Sequence, residues 1–270
     1  MCQLLEVSKS GYYRYCQRTP SKRAQDNAKM TEIIKEIHRD SRECYGSPRI
    51  YAELKSQGIR CGKHRVARLM RLEGIKAKAH RRQKWNPCVH YDYPKGVDLL
   101  KRNFATTEPN RAWVSDITYI PTEEGWVYLV AILDLFSRKI VGYRLSEQMG
   151  RNIVIDAFED AITLRQPLKG LIFHSDRGMQ YINDSFQDRL KSHGVLGSMS
   201  RKGNCWDNAV AESFFHTLKT ELIRHYKYMT REQAKRSIFE YIFNFYNNKR
   251  RHSYLNHMSP IEFERDFMDT

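Results

Sequence analysis

Ala112-Trp113-Val114-Ser115-Asp116-Ile117-Thr118-Tyr119-Ile120-Pro121 opens the stretch that decides the fold. Residues 126–135 and 138–145 share its wealth of Val, Ile, Leu, Tyr and Trp, and Glu123-Glu124-Gly125 and Phe136-Ser137 supply the turns between the runs. β-Branched and aromatic side chains fit a pleated, half-buried surface, so the three runs predict an antiparallel meander. Residues 151–164 then predict a helix with Ile153, Val154, Ala157, Phe158, Ala161 and Ile162 on its apolar side, and Leu171-Ile172-Phe173 a short buried strand running into His174-Ser175-Asp176. A helix at 183–192, a strand at 195–199 and helices at 207–222 and 231–248 complete the pattern. A meander followed by alternating strands and helices predicts an α/β domain: a mixed five-stranded sheet with flanking helices on both faces.

Upstream the character changes. Leu4, Leu5, Val7, Tyr12, Tyr13 and Tyr15 surround Ser8-Lys9-Ser10-Gly11, which reads as a turn within a fragment of a helical hairpin. Met30, Ile33, Ile34 and Ile37 form an amphipathic stripe within a helix over 24–40. Ser47-Pro48 reads as N-cap and first-turn proline of a second helix, closed by Gly58. After Gly62 a third helix turns Val66, Leu69, Met70 and Leu72 inward, with Lys63, His64, Arg65, Arg68 and Arg71 on its remaining surface, and ends at Gly74. Three short helices with a basic last one suggest a small all-α, helix-turn-helix-like module, the other reading being a bundle with merely solvated cations. Residues 81–110 carry Trp85, Tyr91, Tyr93, Pro87, Pro94 and Pro109 among many cations. That composition suits either an arm tracking nucleic acid or a plain linker. The expected division is thus 1–80 helical and basic, 81–110 linker or arm, and 111–270 the α/β core.

The chain of 270 residues carries a formal net charge of +15. Residues 1–110 hold 24 Lys and Arg against 11 Asp and Glu, a net of +13, which leaves +2 for the rest. A charge excess of this kind points to a polyanionic partner, unless it is only a basic solvated surface. No apolar run reaches the roughly 18–20 residues of a membrane span, and the first residues lack the features of a secretory signal, so a soluble intracellular protein with no membrane partner is expected. The six cysteines include no C-x-x-C pair, which argues for reduced thiols and against structural zinc.

Asp116, Asp176 and Glu212 stand out as candidate site residues. An Asp inside a strand is disfavoured and costly to bury without a partner. Asp176 follows a buried-type strand, where open sheets place ligands, although Arg177-Gly178 also permits a simple turn. Glu212 lies on a helix that Asp207 can cap, and Lys219 follows seven residues later, near two turns and so on the same face. The pair could grip a phosphate beside a metal or form a solvated surface couple. Three converging carboxylates would hold Mg²⁺, a hard cation that takes oxygen ligands.

Asp176 and Glu212 are separated by 35 residues, and with Asp116 they resemble the D,D-35-E triad of the retroviral-integrase-like core of bacterial insertion-sequence transposases. Trp113-x-x-Asp116-Ile117-Thr118-Tyr119, His174-Ser175-Asp176-Arg177-Gly178, Ser200-x-x-Gly203-Asn204-Cys205-Trp206-Asp207-Asn208-Ala209-x-x-Glu212, Lys219 and Tyr246-Asn247-x-x-Arg250-Arg251-His252-x-x-Leu255 are similar to that family's words. Tyr45-Gly46-Ser47-Pro48-Arg49-Ile50 and Val66-Ala67-Arg68-Leu69-Met70 resemble its helix-turn-helix module. The resemblance implies a ribonuclease H-like fold with Asp116 on the first strand, Asp176 after the fourth and Glu212 on a later helix. It implies DNA strand cleavage and strand transfer at the ends of an insertion sequence, with two Mg²⁺ (or Mn²⁺) ions bound by Asp116, Asp176 and Glu212 when DNA is present. The implied DNA contacts are Lys219, Arg201, Lys202 and Asn208, with Lys63, Arg65 and Arg68 of the third helix. It further implies double-stranded DNA partners (element ends and target), a homo-oligomer on DNA, an upstream-frame product fused to or associated with a second-open-reading-frame chain, and a bacterial, nucleoid-associated cytoplasmic location. The rival readings are a non-catalytic DNA-binding regulator on the same scaffold and a ribonuclease H.

Overall fold

A computed structural model describes residues 6, 8–17, 19–78, 97–150, 152–201 and 205–269. The chain divides into two compact units, Met1–Ala77 and Lys78–Thr270.

The first unit contains α1 (Lys9–Cys16), α2 (Lys22–Asp40), α3 (Ser47–Ser56) and α4 (Lys63–Leu72). Its core joins Ile34 and Ile37 of α2, Ile50 and Leu54 of α3, and Val66, Leu69 and Met70 of α4. Leu72, expected inside, is 73% exposed, because at about 100° per residue it falls off the stripe formed by Val66, Leu69 and Met70. Ser8-Lys9-Ser10-Gly11 is the start of α1 and not a turn: the Ser8 side chain accepts from the Gly11 N–H. Gly46, not Ser47, is the N-cap of α3, with the proline in its first turn. Gly58 and Gly74 have φ of 76° and 68°, left-handed values that glycine adopts without strain where α3 and α4 end.

The second unit is built on a five-stranded sheet: β1 (Ala112–Thr122), β2 (Gly125–Asp134), β3 (Ile140–Ser146), β4 (Ile172–Ser175) and β5 (Leu196–Met199), in the order β3-β2-β1-β4-β5. The β1-β2-β3 meander is antiparallel, while β4 joins β1, and β5 joins β4, in parallel. This is the ribonuclease H-like mixed sheet. Alternation along β1 and β2 divides their side chains between two buried faces. Trp113, Val130 and Ile132 share a core with α5 (Asn152–Arg165) and with Tyr181, Phe186 and Leu190 from α6 (Met179–Ile182) and α7 (Asp184–Ser192). Val114, Leu129, Ala131 and Leu133 are buried on the other face, where α8 (Ala209–Glu221) and α9 (Arg231–Glu240) meet β1 and β2. Gly142 allows α5 to approach β3, since a Cβ there would lie 2.5 Å from the Ala157 carbonyl oxygen.

Four features depart from the sequence reading. A four-residue α6 precedes α7, and α9 passes into a π-helix over Tyr241–Tyr246. A last helix, α10 (Pro260–Met268), begins with a capping box formed by Ser259 and Glu262. Residues 97–110, expected as the tail of a linker, are tied to the sheet domain. The Met199 N–H donates to the Val97 carbonyl (3.0 Å), Leu99 N–H to Ser198 Oγ (2.9 Å) and Asn110 N–H to Asp134 Oδ2 (2.7 Å). Trp85, Tyr91 and Tyr93 lie outside the described residues. Among the described residues Cys16, Cys44 and Cys61 form no disulfide, and the Cys44 thiol donates to the Arg42 carbonyl at 3.4 Å. Among the described residues no helix is long and apolar enough to cross a membrane.

Candidate active site

Strand register explains how two of the carboxylates meet. Val114 of β1 is level with His174 of β4 in a parallel pair, so two further steps bring Asp116 level with Asp176, just past the end of β4. Asp116 also pairs with Ala131, which places it on the sheet face covered by α8. Glu212 stands in the first turn of α8, where a negative charge is favoured by the helix dipole. Asn208 fixes the entry of that helix by donating from Nδ2 to the Ser115 carbonyl at 3.1 Å, one residue from Asp116.

Each Asp has one oxygen committed to its own loop or strand. Asp116 Oδ1 accepts from the Ile117 N–H (2.8 Å) and Asp176 Oδ1 from the Gly178 N–H (2.9 Å). A Cβ on Gly178 would sit 3.0 Å from that Asp176 oxygen, which is why the His174-Ser175-Asp176-Arg177-Gly178 turn has glycine there.

All three acids hold their protons more tightly than ordinary carboxylates. Burial raises Asp116 well above the usual range, and the Asp176 and Glu212 charges add to it, while the Ile117 N–H and Lys219 oppose. Burial also raises Asp176, against the Gly178 N–H, and raises Glu212 together with the Asp176 charge. Asp176 and Glu212 retain exposed surface, so water moderates the effect of burial on them. The three therefore form one electrostatic site, open to solvent, that resists carrying three negative charges at once. Added positive charge would reverse that penalty.

The donor set suits a hard divalent cation: carboxylate oxygens alone, two of them on side chains whose other oxygen is already held. Among the described residues, however, no three His, Cys, Asp or Glu side chains form a ready-made metal cage. The fit is one of chemistry and proximity, without a closed coordination shell.

Lys219 lies on the expected face of α8. Its Nζ is 5.5 Å from the Tyr119 ring centroid, and its pKa is lowered by burial against the pull of the Asp116 charge. The other expected DNA contacts divide. Asn208 is a correction: it is 3% exposed and turned inward to β1, so its side chain positions α8 and does not face a DNA groove. Arg201 is committed to Asp207, with Nε and Nη2 each at 2.9 Å. Asp207 does not cap α8 as expected, because Arg201 and the Arg102 Nε (2.8 Å) take its side chain and hold its carboxyl well below the usual range. Lys202 lies outside the described residues. In the first unit Lys63 is exposed over the Tyr51 ring (5.5 Å) and Arg68 is exposed, whereas Arg65 donates to Asn27 Oδ1 at 2.9 Å and ties α4 to α2.

Sequence reasoning missed the support beneath Asp176. His174 is fully buried, with its ring nitrogens 2.8 Å from Ser198 Oγ and 3.2 Å from Ser200 Oγ, and burial lowers its pKa so that it stays neutral. Arg177 Nε donates to the Ser200 carbonyl at 2.8 Å. Together these lock the end of β4 to β5. Alternation offered a signal, since a strand-end His four residues before Gly178 must be satisfied internally if the strand is buried.

Comparison with known proteins bears on the family and the fold. Family models match an HTH-like domain over residues 24–83 and an integrase core domain over 106–205 and again over 212–267. The chain is 41% identical over 267 residues to the uncharacterized 31 kDa protein of insertion element IS600 from Shigella sonnei, covering 99% of this chain and 98% of that protein. It is 39% identical over 268 residues to the transposase InsF for insertion sequence IS3A from Escherichia coli strain K12, covering 98% and 92%. A chain of the simian T-cell lymphotropic virus intasome, solved in complex with PP2A regulatory subunit B56 gamma, shares the fold with a TM-score of 0.50 at 14% identity over 86% of this chain and 74% of that one.

Proposed function

The chain belongs to the family of insertion-sequence transposases with an integrase core, and from that premise we propose that it cuts and joins DNA strands at the ends of its own element. The observation that carries this reading is the β1–β4 register that sets Asp116 level with Asp176, with the charges of Asp176 and Glu212 both felt at Asp116. These three would hold Mg²⁺ or Mn²⁺, two ions with DNA bound. Bound there, such ions would lower the barrier to in-line displacement at phosphorus by stabilising the attacking and leaving oxygens.

The chain's own residues do the rest. The β1–β4 register and the Gly178 turn hold two acids side by side, and Asn208 sets the helix that carries the third. Lys219, close enough to feel the Asp116 charge, offers an ammonium to a phosphate next to the scissile one. In the first step water displaces the 3′ oxygen of a phosphodiester at the element's end, leaving a 3′-OH and a 5′-phosphate. In the second that 3′-OH displaces the 3′ oxygen at a target phosphodiester, so one bond forms as one breaks and no covalent enzyme intermediate is needed.

We assign recognition of the element's ends to the basic helical unit, with Lys63 and Arg68 as its exposed contacts, and catalysis to residues 111–270. A homo-oligomer on DNA, joined by an upstream-frame product in the bacterial cytoplasm, completes the reading. The test uses purified protein, Mg²⁺ and a labelled duplex bearing the element's end. Asp116→Asn, Asp176→Asn and Glu212→Gln should each abolish nicking and joining and retain DNA binding. Binding without metal-dependent nicking by the unaltered chain would instead indicate a regulator of transposition.

A further inference from the structure

The hairpin that carries Asp116 ends in an aromatic pair that the chemistry above does not use. Tyr119 is 57% and Trp126 47% exposed, and their rings meet edge to face, 5.1 Å apart at 89°. They are diagonal neighbours, since Tyr119 is level with Tyr128 and Trp126 with Pro121. A perpendicular pair covers at most one face of one ring. Lys219 takes a position over Tyr119. Whichever ring supplies the edge, Trp126 therefore keeps a face that neither Tyr119 nor Lys219 covers.

The surroundings suit a nucleic-acid strand. Lys219 links this pair to the carboxylates through its interaction with Asp116, and the charge of Arg224 reaches Lys219. The Glu123 N–H donates to the Tyr228 carbonyl at 3.0 Å, which brings Tyr226, 56% exposed, to the same hairpin end. Exposed rings among cations are the usual means of holding unpaired bases and their phosphates. Along the strand, at about 3.4 Å per residue, Tyr119 lies about 10 Å and Trp126 about 17 Å from Asp116. Alternation turns both rings to the sheet face opposite Asp116, and Lys219, which feels the Asp116 charge and lies over Tyr119, links the two faces. At about 3.4 Å per base step the distance to Trp126 corresponds to about five or more steps of a DNA strand.

We propose that Trp126, supported by Tyr119 and Lys219, is a stacking platform for an unpaired nucleobase about five or more steps from the scissile phosphate. This deepens the reading of the chain as a DNA-cleaving enzyme and rests on it. The platform gives the site a preference for ends that are already frayed, independent of base identity because every base has a π face.

Anisotropy titration of the full chain tests it with two fluorescein-labelled probes: a matched duplex, and the same duplex with four unpaired thymidines at one end. Mg²⁺-dependent nicking of the matched duplex is measured alongside. The unaltered chain should bind the tailed probe about tenfold more tightly. Trp126→Ala should erase that preference, Trp126→Phe should keep most of it and Tyr119→Ala should weaken it, with unchanged thermal unfolding because both rings are exposed. A preference that survives Trp126→Ala overturns the platform and leaves the pair as a protein-docking surface. An unaltered chain that nicks DNA but shows no preference overturns the platform alone, whereas one that neither binds nor nicks overturns the proposed function with it.

Discussion

Asn208 separates a positioning role from a DNA contact. Its Nδ2 donates to the Ser115 carbonyl, and its Oδ1 has no hydrogen-bond partner among the described residues. Asn208→Ala leaves a buried carbonyl unmet, a cost of about 1–3 kcal/mol, but also removes the unmet Oδ1, which moves the net loss toward about 1–2 kcal/mol. For a unit of this size the melting temperature should fall by about 2–8 °C. Glu212 stands one turn further along α8, so loosening the anchor displaces a carboxylate that must be placed closely. A misplacement of about 1 Å can lower a rate about 100-fold. The assay combines thermal unfolding, anisotropy with an end duplex and nicking at saturating DNA. Expected are a lower melting temperature, a rate reduced about 100-fold and affinity within about twofold. Asn208→Asp should be worse, since it turns an acceptor toward the Ser115 carbonyl. Lost affinity with unchanged melting temperature and an unchanged rate at saturation would refute the positioning role and restore Asn208 as a DNA contact.

Asp116→Asn should raise the melting temperature at neutral pH while abolishing nicking. A folded-state pKa above the unfolded one gives stability that is full below the ordinary carboxylate range and lost as pH rises through the raised value; the variant escapes that loss. Mg²⁺ should stabilise the unaltered chain and not the variant in the same melts. Arg250→Met alone should destabilise by about 3–5 kcal/mol, because it strands Glu221, whose oxygens lie 2.6 and 2.8 Å from the guanidinium in a buried pair; adding Glu221→Leu should recover much of the loss in chemical denaturation. In salt titrations Lys219→Gln should reduce the slope of log affinity against log salt by about 1, while Arg201→Gln should leave the slope unchanged and lower the melting temperature through Asp207.

Much of the sheet was legible because alternation along 112–145 reports a surface with two buried faces, and short turns leave a meander little choice. Asp116 stood out as a candidate for a related reason: a strand-interior Asp makes sense only if something compensates it, whereas Asp176 and Glu212 stood out through the resemblance. What failed depended on distant partners. Asp207 has the local look of a helix cap, but guanidinium groups from residues 102 and 201 claim it. Asn247 lies in one of the stretches that carry the resemblance, and its local sequence says nothing of its partner: its side chain accepts from the Ile140 N–H and donates to the Ile140 carbonyl, standing in for a strand neighbour of β3. The π-helix defeats a 3.6-residue period, since Tyr241, Ile242, Phe245 and Tyr246 all turn inward from its wider coil. The capping box before α10 was readable in Ser259-Pro260-x-Glu262 and was missed.

The small net charge of residues 111–270 reflects internal pairing. Arg165 and Lys139 hold Glu264, Arg250 holds Glu221, and Arg231 with Lys235 holds Glu147. Buried or bidentate pairs of this kind fix helices to the sheet and leave little positive field around the acids. A site of three carboxylates, with Lys219 as the cation whose charge reaches Asp116, would repel a phosphodiester on electrostatic grounds. On the proposed function, most of the affinity for DNA would come from the basic first 110 residues, and attraction at the reacting phosphate from divalent cations. Cleavage would then be conditional on both: the acids that would hold metal are the same groups that would keep DNA away without it.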